Sequence, residues 1–264
     1  YVESGTLRFA TKGSVGLDAG DYAIAFQTVS TILFGPGSTV SHDALRLLAR
    51  HGTALVAVGE DGVRLYASLP FGTDDSRLAR RQVVAWTDED KRLAIARRMY
   101  AWRLGEVLPH SEISVLRGIE GKRMKAMYRQ LAQQHGVAWK RRQYDRNDPE
   151  ATDPVNQAIN HAATAVQAAA MIAVAATSTI PQLGFIHESS ARAFCLDIAD
   201  LYRDAITIPA AFASVSEHQR RPDQPLERHV RRFTGKTLRE KKTIPAMITR
   251  IKELFDADDR DGHT

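Results

Sequence analysis

Leu69-Pro70-Phe71-Gly72-Thr73 divides the chain into two textures. Ahead of it, short runs rich in β-branched and aromatic residues lie at 22–26, 29–34, 53–58 and 63–67, parted by turns such as Gly35-Pro36-Gly37 and Glu60-Asp61-Gly62. One short helix sits among them, with Ser41 as N-cap, Leu45, Leu47 and Leu48 inside and Gly52 just past its end. Behind the divide the apolar period changes from two toward about 3.6 and stays there. Helices are expected near 76–86, 88–105, 111–135, 154–178, 191–215 and 236–256, with Asp153-Pro154 a capping acid and N1 proline, and with Ile180-Pro181-Gln182-Leu183-Gly184 a break. The polar end, 256–264, is expected to fray. The expected fold is α+β: a small N-terminal β-sheet domain with one short helix over residues 1–70, then a larger all-α C-terminal domain over 71–264.

The 264 residues carry 36 Lys plus Arg against 31 Asp plus Glu, a formal charge of +5. That modest excess suits a polyanionic partner without demanding one. With 44% hydrophobic and 25% charged residues, the composition excludes disordered and low-complexity classes. Cys195 is the single cysteine, which excludes an intrachain disulfide and a thiolate zinc cluster and makes a reducing cytoplasm the expected location. The sequence starts at Tyr1 rather than methionine, which suggests a trimmed start, and it carries no signal-peptide pattern. The most apolar run, 162–176, is mostly alanine, contains Gln167, and is shorter than the roughly 20 residues a membrane span needs. It is expected to be a buried helix.

The chemistry gathers in Phe194-Cys-Leu-Asp197-Ile-Ala-Asp200-Leu-Tyr-Arg-Asp204. Phe194, Ile198, Leu201, Ala205, Ile208 and Phe212 make a core-facing stripe. At about 100° per residue, Asp197, Asp200 and Asp204 fall on a second stripe at its edge. Like charges so spaced repel by a few tenths of a kcal/mol per pair unless something positive joins them. A divalent cation would serve; a solvated helix face with Arg203 nearby is the plainer alternative. His187 precedes this helix by a short loop and can reach its first turns, as a ligand or as a structural hydrogen-bonding group. Glu120 sits between Gly118 and Gly121 inside a strong helical pattern. Each mid-helix glycine costs roughly 1 kcal/mol relative to alanine. The pair implies either a close approach beside Glu120 or tight helix–helix packing. One imidazole with several carboxylates is a hard set that suits Mg²⁺ or Mn²⁺ better than zinc. Such metals commonly serve phosphate chemistry.

The motifs also occur in a recognisable order. Gly35-Pro-Gly-Ser-Thr-Val-Ser-His42, Val58-Gly-Glu-Asp-Gly-Val-Arg64-Leu-Tyr-Ala67, Leu116-Arg-Gly-Ile-Glu120-Gly, Gly184-Phe-Ile-His187 and Leu196-Asp197-Ile-Ala-Asp200 resemble the CRISPR adaptation integrase, CRISPR-associated protein one, in its subtype I-E branch. The resemblance spans nearly the whole chain. It implies that the helical domain is catalytic and the β domain serves dimerisation and partner contacts. It further implies a homodimer, two of which flank a dimer of CRISPR-associated protein two. The family's metal ligands carry over to Glu120, His187 and Asp200, with Asp197 as an additional catalytic-site aspartate; no role carries over to Asp204, which is read as an ordinary surface acid. The implied reaction is metal-dependent transesterification: a prespacer 3′-hydroxyl attacks a phosphodiester at the leader–repeat boundary of the CRISPR array. Target bending by integration host factor is expected as well.

For DNA binding the resemblance points to Arg64, Arg142 and Tyr144, and clusters at Lys140-Arg141-Arg142, 228–232 and 239–242 are further phosphate contacts or plain surface charge. Two positions depart from the I-E pattern: Ser4 stands where a tyrosine stacks on the duplex end, and Ser190 where a lysine follows the histidine. The alternative readings are a stand-alone metal-dependent nuclease of branched DNA, a non-catalytic DNA-binding scaffold, and a zinc hydrolase for which one histidine is too few.

Overall fold

In this computed structural model, which describes residues 1–12, 17–68, 75–110, 112–143 and 153–256, every strand precedes the run of long helices. The linker 69–73 and Tyr144 lie outside the described residues. β1 (Val2–Glu3), β2 (Thr6–Thr11) and β3 (Gly20–Ile24) pair antiparallel in that order. Ser4 and Gly5, at φ 49° and 78°, form the two-residue turn between β1 and β2. Positive φ at both central residues matches the twist of the flanking strands. A second sheet has the order β4 (Thr31–Phe34), β5 (Ala54–Val58), β6 (Leu65–Ser68). β4 and β5 run parallel, so the chain must cross over between them, and α1 (His42–Arg50) does so. Ser41 caps it, its Oγ accepting from the Ala44 N–H.

The helical part comprises α2 (Arg77–Thr87), α3 (Glu89–Leu104), α4 (Ile113–His135), α5 (Pro154–Ala176), α6 (Ala193–Asp200), α7 (Ile208–Arg220), α8 (Leu226–Glu240) and α9 (Thr243–Asp256). α5 is its axis, in contact with α6, α7, α8 and α9 and with β5 and β6. By length and composition it is apolar enough to cross a membrane, yet most of its apolar stretch is buried inside the protein. Ala158, Ala162, Ala169, Ala170 and Ala173 are fully buried. Alanine lets four helices approach the same axis, and its lack of rotamer entropy makes it the best helix former. Asp153 caps the helix by accepting from the Val155 and Asn156 N–H groups, as the Asp-Pro signal predicts. Val56 and Val58 of β5 share a core with Ile172 of α5, and Leu65, Ala175 and Ile244 pack around it. The second sheet is thereby joined to the helical part by a common apolar core.

Two expected helices are each broken in two. The run expected over 191–215 ends as α6 at Asp200, turns through a π-helical segment Arg203–Thr207, and resumes as α7. Pro209 explains the break: it has no N–H for the Ala205 carbonyl, and its ring crowds that oxygen. Lys241 Nζ donates to the Ala205 carbonyl instead, at 3.1 Å. The run expected over 236–256 breaks at Lys242, whose φ is +47°, because Pro245 fits only the first turn of a helix. The remainder of that stretch belongs to α8, whose buried face of His229, Val230, Thr234, Gly235 and Leu238 is too polar to announce a helix in the sequence.

Ala169→Leu will lower the unfolding free energy by about 1–3 kcal/mol, because the added isopropyl group has no room on the α5 axis; a denaturant midpoint equal to that of the native chain would contradict the packing. Cys195 is buried and its thiol is pushed up to about 11 by that burial. A thiol reagent at about pH 8 will therefore leave the folded protein unmodified and react with one thiol per chain in denaturant.

Candidate active site

Asp197 organises the site. Its carboxylate is fully buried and accepts four hydrogen bonds, from the backbone N–H groups of Phe185 (2.6 Å), Ile186 (3.1 Å) and His187 (2.9 Å) and from His187 Nδ1 (2.7 Å). Burying a carboxylate costs several kcal/mol unless such donors surround it. The loop therefore wraps the acid, and the acid sets the loop. Gly184 makes the wrap possible: a Cβ there would lie 2.3 Å from the His187 carbonyl oxygen and 2.8 Å from Ala193 Cβ.

The same loop is pinned from behind by α2. Buried Gln82 donates through Nε2 to the Ile180 and Leu183 carbonyls, both at 2.9 Å, and its Oε1 accepts from the Ile180 N–H at 2.7 Å. Trp86 Nε1 donates to the Gly184 carbonyl at 3.0 Å. Neither residue carries a sequence signal, because an internal glutamine in an amphipathic helix reads as solvated.

A carboxylate only accepts, so His187 Nδ1 carries the proton toward Asp197 and Nε2 is turned to Asp200, whose Oδ2 lies 3.8 Å away. The bond to Asp197 raises the His187 pKa above its ordinary value, with burial opposing. Asp200 ends α6 and Glu120 projects from α4; His187, Glu120 and Asp200 line one cleft of about 490 Å³. Burial pushes the Glu120 carboxyl up, against the lowering pull of Arg103. Beyond the backbone of α4 itself, no atom of the described residues lies within 4 Å of the position a Cβ would take at Gly118 or Gly121. Helix–helix packing is not their reason; they leave a smooth, open helix surface beside Glu120.

Arg103, on α3, carries no sequence signal, yet its side chain is only 5% exposed in the middle of the acids. Its Nη2 lies 2.9 Å from Glu120 Oε1 and 3.5 Å from Asp204 Oδ1, and its Nη1 3.7 Å from Asp200 Oδ2. Arg203 Nη1 approaches Asp200 Oδ1 at 3.9 Å. Two of the expected placements are thereby corrected. Asp197 does not sit at the edge of the buried face with Asp200 and Asp204 but within it, behind His187, both its oxygens engaged. Asp204 is not an ordinary surface acid: the π-helical segment turns it inward to Arg103, and burial raises its carboxyl pKa.

Among the described residues no three His, Cys, Asp or Glu side chains stand close enough together to hold a metal ion. The donor set still fits a hard divalent cation: His187 presents a pre-oriented Nε2, and the half-buried carboxylates of Glu120 and Asp200 face the same cleft. Asp197 stands to His187 as an orienting carboxylate stands to a metal-bound imidazole.

The cleft continues past His187, Asp200 and Arg203 into a groove of about 550 Å³ floored by Asn160, Thr164 and Gln167 of α5 and bordered by Arg142. Arg142 is held there by Asn156 Oδ1 (2.9 Å) and Asn160 Oδ1 (2.6 Å). Thr164 also lines a recess with Arg64, Arg231 and His161. Arg64 is exposed and pairs with Glu227 at 2.5 Å. Ser4 is a turn residue, and neighbouring Tyr1 binds Asp21 through its hydroxyl. Ser190 lines the active-site cleft.

The fold and the sequence both have relatives among known proteins. The crystal structure of a TtCas1–DNA complex superposes with a TM-score of 0.81 at 33% identity, over 89% of this chain and 87% of that one. The likeness to a casposase bound to integration product, TM-score 0.66 at 13% identity over 97% and 92% of the two chains, is one of fold. CRISPR-associated endonuclease Cas1 of Escherichia coli is 39% identical over 87% of this chain and 74% of its own length. A Thermus thermophilus relative, CRISPR-associated endonuclease Cas1 2, is 36% identical over 86% and 69%. The family model for CRISPR associated protein Cas1 matches residues 2–108 and 103–241, and the chain belongs to that family.

Asp197→Asn replaces an acceptor oxygen with an NH₂ that faces N–H donors. It will cost about 1–3 kcal/mol of stability for the donors left unpaired; a denaturation curve unchanged from the native one would refute the role given to Asp197.

Proposed function

We propose that the chain is a divalent-metal-dependent DNA integrase and endonuclease of CRISPR adaptation. The observation that carries this reading is the convergence of Glu120, Asp200 and a pre-oriented His187 Nε2, from three separate elements, on one cleft that opens onto a groove bordered by Arg142. Glu120, His187 and Asp200 would hold Mg²⁺ or Mn²⁺. When bound, the ion supplies Lewis-acid polarisation of a phosphodiester and stabilises the leaving oxygen. Asp197 holds a proton on the imidazole Nδ1 and turns Nε2 toward the cleft.

The substrate reaction is an exchange. A prespacer 3′-hydroxyl attacks a phosphorus at the leader–repeat boundary, one P–O bond forms, the P–O bond to the target 3′-oxygen breaks, and the hydroxyl proton passes to the departing oxygen by way of solvent. One phosphodiester replaces another, so no ATP is required; the triplet Gly235-Lys236-Thr237 lies inside α8, with Val230 where a phosphate loop has its first glycine. Arg142, Arg64 and Tyr144 would contact the DNA. Releasing Arg64 from its exposed pair with Glu227 costs no more than about 1 kcal/mol, so a phosphate competes readily for it.

The active assembly would be a homodimer of this chain, two of which flank a dimer of CRISPR-associated protein two, on prespacer duplex and leader–repeat DNA in the cytoplasm, with integration host factor bending the target. The names of the relatives, both endonucleases, also fit a nuclease acting alone.

The test is strand transfer of a short duplex with free 3′-hydroxyls into a supercoiled plasmid carrying a leader and repeat, with the partner protein and Mn²⁺. The native chain will form half-site products and His187→Ala will form at least about 100-fold less, the usual loss for an essential group of this kind, while still binding the duplex. Equal product from both would overturn the site; cleavage without joining, independent of the partner, would leave the stand-alone nuclease.

A further inference from the structure

Arg103 is anomalous in the cleft. Its side chain is 5% exposed, and its Nε and Nη2 are shut off from solvent without a hydrogen bond. A guanidinium keeps its charge at any ordinary pH and carries five donors. Leaving donors unmade in a buried position is costly unless something else offsets it. The compensation is ionic: Glu120 at 2.9 Å, Asp204 at 3.5 Å and Asp200 at 3.7 Å surround the group. Asp204 Oδ1 is equally buried and equally without a hydrogen bond. Two of these acids, Glu120 and Asp200, are the groups assigned above to the metal; Asp204 is not.

Resting on that metal reading, we propose that Arg103 is the internal counter-charge that holds Glu120 and Asp200 when no cation is bound, and that Asp204 is the acid that retains it when one is. Burial behind three carboxylates makes Arg103 a poor contact for a DNA phosphate, which those carboxylates repel, so it acts on the reaction through its neighbours and is a positioning residue. The exchange needs little movement, because the same Nη2 lies within 4 Å of both Glu120 and Asp204. It also accounts for the absence, among the described residues, of three donors drawn together: their attraction is directed to Arg103. The arrangement prevents the carboxylates from repelling one another in the metal-free protein and sets a threshold for cation binding, since a guanidinium and a cation compete for the same oxygens.

The readout is Mn²⁺ affinity, measured by calorimetric titration of the metal-stripped full chain without DNA. Arg103→Met will bind Mn²⁺ about tenfold more tightly, as expected when a like charge a few ångströms away is removed. Its metal-free melting temperature will fall and its gain in melting temperature on Mn²⁺ addition will grow. Arg103→Lys, which keeps the charge, will stay near the native affinity. Asp204→Asn, which leaves Arg103 without its alternative partner, will weaken binding several-fold, and that effect will shrink in the Arg103→Met background. Native or weaker affinity in Arg103→Met, no change in Asp204→Asn, or equal weakening by Asp204→Asn in both backgrounds would each overturn the proposal. Should Arg103→Met fail to fold, Asp204→Asn, a near-isosteric change, decides alone. If the native chain takes up no Mn²⁺, the metal reading fails and this proposal with it; if it does and His187→Ala weakens the uptake while the Arg103 and Asp204 variants match the native chain, only this proposal fails.

Discussion

The active site depends on one buried carboxylate. Asp197, on α6, accepts from three successive backbone N–H groups and from the imidazole of His187, so a single side chain sets the path of a loop and the orientation of the histidine that faces the cleft. The site tolerates this charge in its core because both carboxylate oxygens face donors. Gly184 lets the loop close on the acid, and Gln82 with Trp86 holds the far side of the loop to α2. Removing the carboxylate would release the loop and the imidazole at once.

A second constraint is electrostatic. Glu120, Asp200 and Asp204 come from α4, the end of α6 and the π-helical segment, and they are kept together by cationic groups rather than by one another. Pro209 has an indirect part in this. By interrupting the hydrogen-bond ladder at Ala205 it produces the wider turn that carries Asp204 inward, and Lys241 from the end of α8 takes up the abandoned carbonyl. The same break separates the helix that supplies Asp197 and Asp200 from α7, whose buried face packs on α5.

α5 is the scaffold against which these pieces are set. Its alanines permit close contact with four other helices, while Asn160, Thr164 and Gln167 leave it on one side to floor a groove that reaches His187 and Asp200. Packing and the groove thus share one helix: the alanine face stabilises the fold and the polar face floors the groove. The Arg142 guanidinium is tied to this helix through Asn156 and Asn160, so a groove-bordering cation outside regular structure is held in place by the buried Asn156 and its neighbour one turn on.

The sequence alone was enough for the order of textures, the cap of α1, the start of α5, and the candidate site residues Glu120, His187, Asp197 and Asp200. Those are properties of local pattern: period two against period 3.6, a capping acid before a proline, three acids at helical spacing beside a histidine. It did not determine where helices end when a proline lies inside an apolar stripe, nor that α8 exists, because its buried face is built largely from histidine, threonine and glycine. Tertiary structure alone decided which of the three aspartates is buried, since a helical wheel gives an angle and not the identity of what lies across it. It alone brought in Arg103, whose local surroundings of Trp102, Leu104 and Gly105 say nothing of acids that come from as far along the chain as Asp204. Spacing records what one helix presents; the charge that faces it belongs to another, and only folding sets the two together.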